Sequence, residues 1–284
     1  MKTALITGCS DGGIGAAMAK VLLEKGYHVF ATLRNTSKAG TLASLSEVEI
    51  LELEVTSEES IARCVEQVRE RTGGTLDLLI NNAGRDYIMP LLDVDIKDAK
   101  KYFDLNFWSV LAVTQAFAPM VIKAKGAIVN HSSVSWNLAT CWGGMYSTSK
   151  AAVKQLSEVL RVELEPLGVR VVTAVIGLVD THIFANSSVD EFCLPLNSYY
   201  EPVRQFLIDT REGKKVVKLE NVDVTARYLV DDILGGAKGC IWRGAVSTEC
   251  KWLSAYLPTW MMDALNNKAR GLVELKEYYM GVRE

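Results

Sequence analysis

The chain has 284 residues, 49% of them hydrophobic, so it is long enough to bury a large core in one α/β domain. Its formal net charge of −3 and the lack of a basic stripe argue against nucleic acid as a main partner. No run of about 18 apolar residues occurs, and the first residues already have the pattern of a strand. We therefore expect neither a transmembrane segment nor a signal peptide, and a cytoplasmic location.

The cysteines and histidines do not form a metal-binding pattern. The six cysteines include no CxxC pair, and the three histidines are scattered along the chain. We therefore expect no metal site and no disulfide framework, with the thiols reduced in the cytosol.

Short β-rich runs alternate along the chain with longer helical stretches. The predicted strands are 2–7, 27–33, 49–53, 77–81, 126–131, 169–176 and 240–247. The predicted helices lie near 14–25, 57–71, 98–121 and 145–166. Strands such as 127–129 are apolar throughout, which is typical of strands covered on both faces. The pattern predicts an α/β fold with one Rossmann-type domain and a doubly wound parallel sheet of about seven strands.

Two regions interrupt this alternation. Residues 183–222 contain no clear strand and few periodic apolar positions, and loops of this length are usually lids or disordered segments. We predict a substrate lid here, loosely held in the absence of ligand. Residues 251–284 form a predicted helical tail that is rich in Trp and Met. Its apolar face either packs on the domain or a partner subunit, which the charges along the tail favour, or contacts a lipid surface.

The first predicted strand is followed by the glycine-rich run 7–15 and then by a helix. Glycines allow the backbone to turn tightly and to approach a pyrophosphate, whose charge is stabilised at a helix N-terminus. A glycine cluster alone also fits a plain turn. Its position between the first strand and an Ala-rich helix favours dinucleotide binding.

The second predicted strand, 27–33, is followed by Arg34. A site for NAD usually has Asp or Glu here, because a carboxylate bonds the ribose 2′-hydroxyl. A guanidinium instead suits a 2′-phosphate through paired, charge-assisted hydrogen bonds. Arg34 also fits a solvated surface position, but we predict NADP(H) as the cofactor.

Tyr146 and Lys150 are four residues apart at the start of a predicted helix, which puts both side chains on one face. Lowering a tyrosine pKa from ~10 to ~7 requires roughly 4 kcal/mol of preferential stabilisation of the phenolate. A neighbouring ammonium and a positive nicotinamide ring are able to supply it, so that the phenol acts as acid and base. Ser133 follows a predicted strand and is placed to bond a carbonyl oxygen. Taken singly, these residues also fit a surface helix and a cap.

In combination, these residues resemble the short-chain dehydrogenase/reductase family. The glycine-rich turn, Asn81–Gly84, Asn106, Ser133, Tyr146 and Lys150 follow in that family's order and at nearly its spacing, within residues 2–182. The resemblance implies that Asn106 holds a water of a proton relay and that Ser133 positions the carbonyl. It also implies that Tyr146 is the acid/base, and that Lys150 binds the nicotinamide ribose and lowers the tyrosine pKa. The cofactor-binding residues that it implies are Gly8, Ser10, Gly13, Ile14, Gly15, Arg34, Glu54, Val55, Asn82, Ala83, Gly84, Tyr146, Lys150, Gly177, Val179 and Thr181.

Parts of the sequence resemble particular branches of this family, and others depart from its pattern. Residues 31–34 look like those of NADPH-preferring steroid and retinoid reductases. The glycine-rich turn and residues 257–260 look like fungal reductases related to the 1-acyldihydroxyacetone-phosphate reductases. The turn has one extra residue, Glu54 replaces an Asp that meets the adenine, and Ile176 replaces a proline. We expect a reshaped phosphate loop, with the turn at Gly177 retained.

The leading hypothesis is an NADPH-dependent reductase of a ketone on a bulky, largely apolar small molecule, such as a lipid or a fungal secondary metabolite. Trp136 and Trp142 are predicted to wall the pocket, although aromatic residues are also ordinary core residues. The alternatives are a non-catalytic NADP(H)-sensing protein on the same fold and a lipid-surface-associated protein. Assembly into a homo-oligomer is left open by the sequence.

Overall fold

The computed structural model describes residues 1–181, 192–214 and 218–281, and its centre is a seven-stranded parallel sheet. The strands are β1 (Lys2–Thr7), β2 (Tyr27–Leu33), β3 (Val48–Glu52), β4 (Leu78–Asn81), β5 (Ala127–Ser133), β6 (Arg170–Ile176), β7 (Val179–Asp180), β8 (Glu220–Asn221) and β9 (Gly239–Arg243). The order in the large sheet is β3-β2-β1-β4-β5-β6-β9, while β7 and β8 form a separate short pair. The predicted α/β fold with a doubly wound parallel sheet of seven strands is confirmed.

Helices cover both faces of this sheet. They are α1 (Ile14–Glu24), α2 (Glu58–Thr72), α3 (Ile96–Phe103), α4 (Ser109–Ala124), α5 (Gly144–Leu164), α6 (Arg204–Arg211), α7 (Val222–Leu234), α8 (Ser247–Tyr256), α9 (Thr259–Asn267) and α10 (Leu272–Met280). Helices α1 and α7 pack with the sheet in one apolar core, and α2, α4 and α5 pack in the other. Because both faces are covered, the central strands carry almost only apolar or hydrogen-bonded side chains.

The strand order reverses between β1 and β4, which are neighbours in the sheet although β2 and β3 lie between them in sequence. The connections leaving β1 and β4 therefore pass to opposite sides, and a crevice opens at the carboxyl ends of these strands. Such a crevice is where open α/β sheets bind ligands.

The predicted helix 98–121 is interrupted in the structure. Helix α3 is followed by a π-helical turn, Asp104–Trp108, and only then by α4. Apolar spacing does not distinguish a π turn from an α-helix, so the break is not visible in the sequence pattern. Such turns occur often at functional sites, and this one contains Asn106.

The predicted lid, 183–222, falls partly outside the described residues, which exclude 182–191, 215–217 and 282–284. Its described part is more regular than the sequence indicated, since it includes α6 and the short strand β8. Val203 and Leu207 are fully buried against Trp142. Trp142 thus belongs to a small apolar core. The closing motion of a lid stays a prediction.

The C-terminal helices pack onto this small core. Leu275 of α10 contacts it, and the Trp142 indole donates a hydrogen bond of 2.9 Å to the carbonyl oxygen of Arg270. The Asn267 side chain accepts from the Cys141 N–H at 2.8 Å and donates to the Ala139 carbonyl at 2.9 Å. These contacts attach the tail to the segment that precedes Tyr146.

Among the described residues, one helical stretch, Ile96–Ala124, is long and apolar enough by composition to cross a membrane. Its residues Val113, Phe117 and Val121 are buried in the core beside α2. A core helix of a water-soluble domain passes the same test, so the stretch is weak support for a membrane span.

Gly177 provides a stability test of the crevice edge. A Cβ at this position would overlap the carbonyl oxygen of Ala245, which is backbone and has little freedom to move. We expect Gly177→Ala to lower the free energy of unfolding by about 1–3 kcal/mol, measured by urea denaturation. Gly143→Ala is the matched control, because a Cβ there meets its nearest atom at 3.8 Å. Equal unfolding midpoints for both variants would contradict the proposed close approach.

Candidate active site

The carboxyl ends of six neighbouring strands carry most of the predicted site residues. The residues that follow or end these strands are Gly8–Gly15 after β1, Arg34 after β2, Glu54 and Val55 after β3, Asn82–Gly84 after β4, Ser133 at the end of β5, and Gly177–Thr181 after β6. Tyr146 and Lys150 come to the same edge from the first turns of α5. The structure thus brings the predicted set together along one crevice.

The glycine-rich turn presents a helix N-terminus to the crevice. Gly8 and Gly12 have φ of 74° and 72°, a left-handed conformation that glycine adopts without strain. Gly13 is the N-cap of α1, which has no side-chain cap and no acidic residue in its first turn. The first N–H groups of α1 are therefore available to an anion such as a pyrophosphate. The side chain of Asp11 in this turn lies against Gly40.

Asn82 holds the turn after β4 against the turn after β1. Its amide donates to the carbonyl oxygens of Thr7 and Gly8 at 2.7 and 2.9 Å. The Thr7 hydroxyl accepts from the N–H groups of Asn82 and Ala83 at 3.0 Å each. A Cβ on Gly15 would lie 2.5 Å from the Asn82 amide nitrogen, so the glycine allows this close approach. These bonds fix the floor of the crevice.

Arg34 follows β2 at the adenosine end of the crevice. Arg34 is 81% exposed at its side chain and lies 3.7 Å from Glu54, an exposed ion pair that contributes little stability. Glu54 also accepts a hydrogen bond of 2.9 Å from the Thr56 hydroxyl. The neighbouring Val55 is buried. Arg34 is therefore able to leave Glu54 for a 2′-phosphate, and its exposure equally fits the solvated alternative.

Tyr146, Ser133 and Lys150 form a compact group. The Ser133 side chain lies near enough to Tyr146 to act on the pKa of its phenol, which it lowers against the larger effect of burial. The Lys150 ammonium donates a hydrogen bond of 3.0 Å to the carbonyl oxygen of His131 and lies 5.8 Å from the centre of the Tyr146 ring. Lys150 is 7% exposed, so this cation is held inside the protein with one backbone partner.

Burial shifts the protonation of both groups toward their neutral forms. It lowers the pKa of Lys150 from 10.5 to about 8. Burial, with a smaller contribution from the Asp86 carboxylate, raises the pKa of Tyr146 well above its ordinary value despite the opposing effect of Ser133. The protein without cofactor thus keeps Tyr146 as a phenol. The expected lowering of the Tyr146 pKa concerns the complex with the oxidised nicotinamide and stays a prediction.

Asn106 is fully buried and anchors the loop after β4. Its amide donates to the Arg85 carbonyl at 2.9 Å and to the Tyr102 hydroxyl at 2.6 Å. Its carbonyl oxygen accepts from the Arg85 N–H at 3.0 Å. The side chain therefore positions the loop, and the predicted role in holding a relay water stays a prediction.

The residues after β6 form the far wall of the crevice. The Gly177 N–H donates a hydrogen bond of 2.8 Å to the Arg243 carbonyl oxygen. Val179, in the short strand β7, is buried. Ile176, where the family pattern has proline, completes β6 as a buried strand residue. Thr181 is the last described residue before the gap and is partly buried.

Three groups near the site were not identified from the sequence. Tyr102 donates a hydrogen bond of 2.9 Å to the Arg85 carbonyl oxygen. It lies four residues, one helical turn, before Asn106, and this spacing is a signal from which its place near the site could have been predicted. Asp86 lies close enough to Tyr146 to raise its pKa, and burial raises the pKa of Asp86 itself. The bonds of Asn267 to the segment before Tyr146 span more than 120 residues, and no local pattern indicates them.

The family model described as short chain dehydrogenase matches residues 2–191. The chain is 49% identical over 273 residues to the short-chain dehydrogenase cctT of Talaromyces islandicus, covering 96% of each chain. It is 38% identical over 222 residues to an NADPH-dependent 1-acyldihydroxyacetone phosphate reductase of Schizosaccharomyces pombe, covering 77% of this chain and 75% of the relative.

Solved structures agree with the sequence relatives. A short chain dehydrogenase from Burkholderia cenocepacia J2315 in complex with NADP matches with a TM-score of 0.72 and 26% identity. The match covers 94% of this chain and 99% of that one. With the family model, the relatives and the crevice in agreement, this chain belongs to the short-chain dehydrogenase/reductase family.

Proposed function

We propose that this protein is an NADP(H)-dependent oxidoreductase that interconverts a ketone and a secondary alcohol. The observation that carries the proposal is the group of buried Ser133, buried Lys150 and half-buried Tyr146 at the carboxyl edge of the sheet. The Ser133 side chain acts on the Tyr146 phenol there, and the Lys150 ammonium lies 5.8 Å from the centre of the Tyr146 ring. This arrangement suits an oxygen atom that gains negative charge during reaction.

The cofactor is NADP(H). The uncapped N-terminus of α1 suits its pyrophosphate, and the exposed guanidinium of Arg34 suits its 2′-phosphate. Gly8 and Gly15 let Ala83 and Asn82 pack directly against this turn, where a Cβ would collide with them, so the turn keeps its shape beside the α1 N-terminus. The printed names of an NADPH-dependent relative and of a neighbour in complex with NADP give further support.

In the reducing direction, the protein supplies the proton and the orientation. The Ser133 and Tyr146 hydroxyl groups hydrogen-bond the substrate oxygen and fix the carbonyl plane. When bound, NADPH supplies the hydride that is added to the carbonyl carbon. The Tyr146 phenol gives its proton to the oxygen, and the Lys150 ammonium stabilises the phenolate that remains. In the oxidising direction Tyr146 takes the proton back.

We propose a bulky, largely apolar substrate, such as a lipid or a fungal secondary metabolite. The small core of Trp142, Val203 and Leu207 lies beside the segment that precedes Tyr146 and provides an apolar neighbourhood. The fungal relatives, one of which is named for an acyl substrate, support this class.

A lipid-surface association is a second candidate, and the tail favours it. Trp252, Tyr256 and Trp260 are 52%, 77% and 71% exposed. Such aromatic groups suit a lipid surface or a second copy of the chain, so homo-oligomer formation is also proposed. A non-catalytic cofactor sensor and a cytoplasmic location stay predictions.

The Tyr146→Phe variant tests the chemistry. It removes the proton donor and keeps the ring, so turnover of NADPH with a ketone substrate should fall by about 100-fold or more, with NADPH still bound. A panel of apolar ketones supplies the substrate, and NADPH affinity is measured by fluorescence titration. Turnover near that of the wild type would refute the mechanism, and no wild-type turnover with any ketone would favour the sensor.

Arg34→Ala tests the cofactor choice. The guanidinium is expected to bond the 2′-phosphate, which NADH lacks, so the variant should weaken NADPH binding by about tenfold or more and leave NADH unchanged. The two dissociation constants are measured on the same preparation. Lys38→Ala is a control for general loss of positive charge near this edge. Equal weakening of both nucleotides by Arg34→Ala would mean that Arg34 has a structural role.

Lys150→Met tests the cost of burying the ammonium. The pKa of Lys150 is lowered to about 8 in the folded protein, whereas an unfolded lysine titrates near ~10.4. The buried ammonium therefore lowers the free energy of unfolding at pH 7 by at most about 3 kcal/mol. This loss of stability shrinks as the pH rises from 8 to 10.5, because the folded protein releases the proton first. Lys150→Met should be more stable than the wild type at pH 7, with the difference shrinking across that range in urea denaturation. A variant that is less stable at every pH would contradict this.

A further inference from the structure

Asp86 is a carboxylate close to Tyr146 for which the proposed chemistry has no use. It lies in the loop after β4, and the residue is partly buried. One carboxylate oxygen accepts a hydrogen bond of 2.8 Å from the Tyr87 N–H, and the other has no partner among the described residues. A carboxylate that is partly removed from water still needs hydrogen bonds, so this open oxygen suits a donor group of a ligand.

Hydrogen bonds fix the main chain beside Asp86. The Asn106 amide donates to the Arg85 carbonyl oxygen at 2.9 Å, and its carbonyl oxygen accepts from the Arg85 N–H at 3.0 Å. The same amide donates a hydrogen bond of 3.3 Å to the Ser149 hydroxyl, which donates one of 2.7 Å to the Tyr146 carbonyl oxygen. The loop that contains Asp86 is therefore connected to the helical turn that holds Tyr146.

The loop also approaches the active site at two further points. Before Asp86, a Cβ on Gly84 would lie 3.6 Å from the Lys150 ammonium nitrogen. After Asp86, the Met89 N–H donates a hydrogen bond of 2.8 Å to the carbonyl oxygen of Trp142, in the segment that leads into α5. Asp86 lies between these two contacts along the chain, so the contacts place it at the rim of the site.

The Asp86 carboxylate has the Tyr146 phenol and the Arg270 guanidinium as neighbours. After burial, its charge contributes to the raised pKa of Tyr146. Burial also raises the pKa of Asp86, while the Tyr87 N–H and the Arg270 guanidinium lower it by smaller amounts. Arg270 is held there by its carbonyl oxygen, which accepts a hydrogen bond of 2.9 Å from the Trp142 indole. Asp86, Tyr146 and Arg270 are all partly exposed, so a ligand in the crevice is able to reach them.

The nearby guanidinium determines which kind of donor suits Asp86. An ammonium group of a ligand would meet the positive charge of Arg270 as well as the carboxylate, and like charges repel. A hydroxyl group donates a hydrogen bond to a carboxylate and has no net charge. The surroundings of Asp86 therefore favour a hydroxyl over an amine.

We propose that Asp86 is a specificity-determining residue whose open carboxylate oxygen accepts a hydrogen bond from a hydroxyl group of the ketone substrate. The substrate class is then a bulky, largely apolar ketone that has at least one hydroxyl group away from its carbonyl. The inference rests on the proposed reduction of a ketone and deepens it. A ketone without this hydroxyl would cover the oxygen and displace water from it without replacing the lost hydrogen bond, which disfavours its binding.

Matched ketones measure the contribution of the hydroxyl group. Methyl naphthyl ketone and its ring-hydroxylated isomers have the same carbonyl group and nearly the same size, and the full chain is assayed with each of them and NADPH. In the wild type, the best hydroxylated isomer should exceed the parent ketone about tenfold or more in kcat/KM. Asp86→Leu removes the acceptor and keeps a side chain of similar size, so it should bring this ratio close to one.

The ratio of the two ketones separates a direct contact from the effect of Asp86 on Tyr146. Loss of the carboxylate changes the Tyr146 pKa, and this shifts the pH profile of turnover equally for both ketones. A loss confined to the hydroxylated ketone, mainly as a raised KM, therefore reports the hydrogen bond.

Three further variants complete the comparison. Asp86→Asn keeps an acceptor oxygen and should retain part of the ratio. Asp86→Ala also removes the acceptor, and it replaces Asp86→Leu if that variant fails to fold. Asp98→Leu is the matched control, because Asp98 is an exposed carboxylate on α3 that pairs with Lys101 at 3.3 Å. This control should leave the ratio unchanged.

The outcomes separate this inference from the proposed function. If the wild type reduces the parent ketone and every hydroxylated isomer equally well, the contact is refuted and ketone reduction stands. If Asp86→Leu slows all ketones by the same factor, Asp86 acts through Tyr146 or the fold, and the contact is again refuted. If the wild type prefers an aminomethyl-substituted ketone to the hydroxylated isomers, the hydroxyl class is wrong. If the wild type reduces no ketone with NADPH, the proposed function fails, and this inference fails with it.

Discussion

The buried ammonium of Lys150 is the interaction on which the site depends. Its bond to the His131 carbonyl ties α5 to the end of β5 and so sets the position of Tyr146 against Ser133. Taking a cation out of water is costly, and one neutral carbonyl compensates only part of that cost. The protein therefore holds a site whose charge is incompletely satisfied. A ligand that places negative charge or hydroxyl groups near Lys150 would stabilise it.

The rest of the fold serves to hold this site rigid. Asn82 fixes the turn after β4 against the turn after β1, and Asn106 fixes the next loop from within a π turn. The tail bonds of Asn267 fix the segment that leads into α5. Each of these side chains forms hydrogen bonds to main-chain groups, and these bonds hold the loops in fixed positions around the site.

Much of the fold was predictable because its signals are local. Alternating apolar strands and amphipathic helices predict a covered parallel sheet, and parallel strands bring their carboxyl ends to one edge. Residues as distant in sequence as Gly8, Ser133 and Gly177 could therefore be assigned to one crevice before the structure was known. Tyr146 and Lys150 were predicted to share a helical face because their spacing alone determines it.

Other features depend on contacts that sequence spacing does not contain. The π turn at Asn106 keeps the apolar pattern of an α-helix, so only its hydrogen bonds distinguish it. In segment 192–214, Val203 and Leu207 are fully buried beside Trp142, while Phe192, Leu194, Tyr200 and Phe206 are only partly buried against them, and this spacing has no clear helical or strand period. The Nε2 atom of His131 is buried and has no hydrogen-bond partner among the described residues. This environment depends on residues that are distant in sequence, so a single histidine in a predicted strand does not reveal it.

We propose that the free protein holds Tyr146 as a proton donor and that the oxidised cofactor makes its phenolate accessible. Ultraviolet titration of the phenolate, taken as the difference between the wild type and Tyr146→Phe, measures this directly with and without NADP⁺. Tyr146 should titrate above the ordinary tyrosine pKa of ~10 in the free protein, and clearly below it when NADP⁺ is bound. An identical Tyr146 pKa in both states would contradict it.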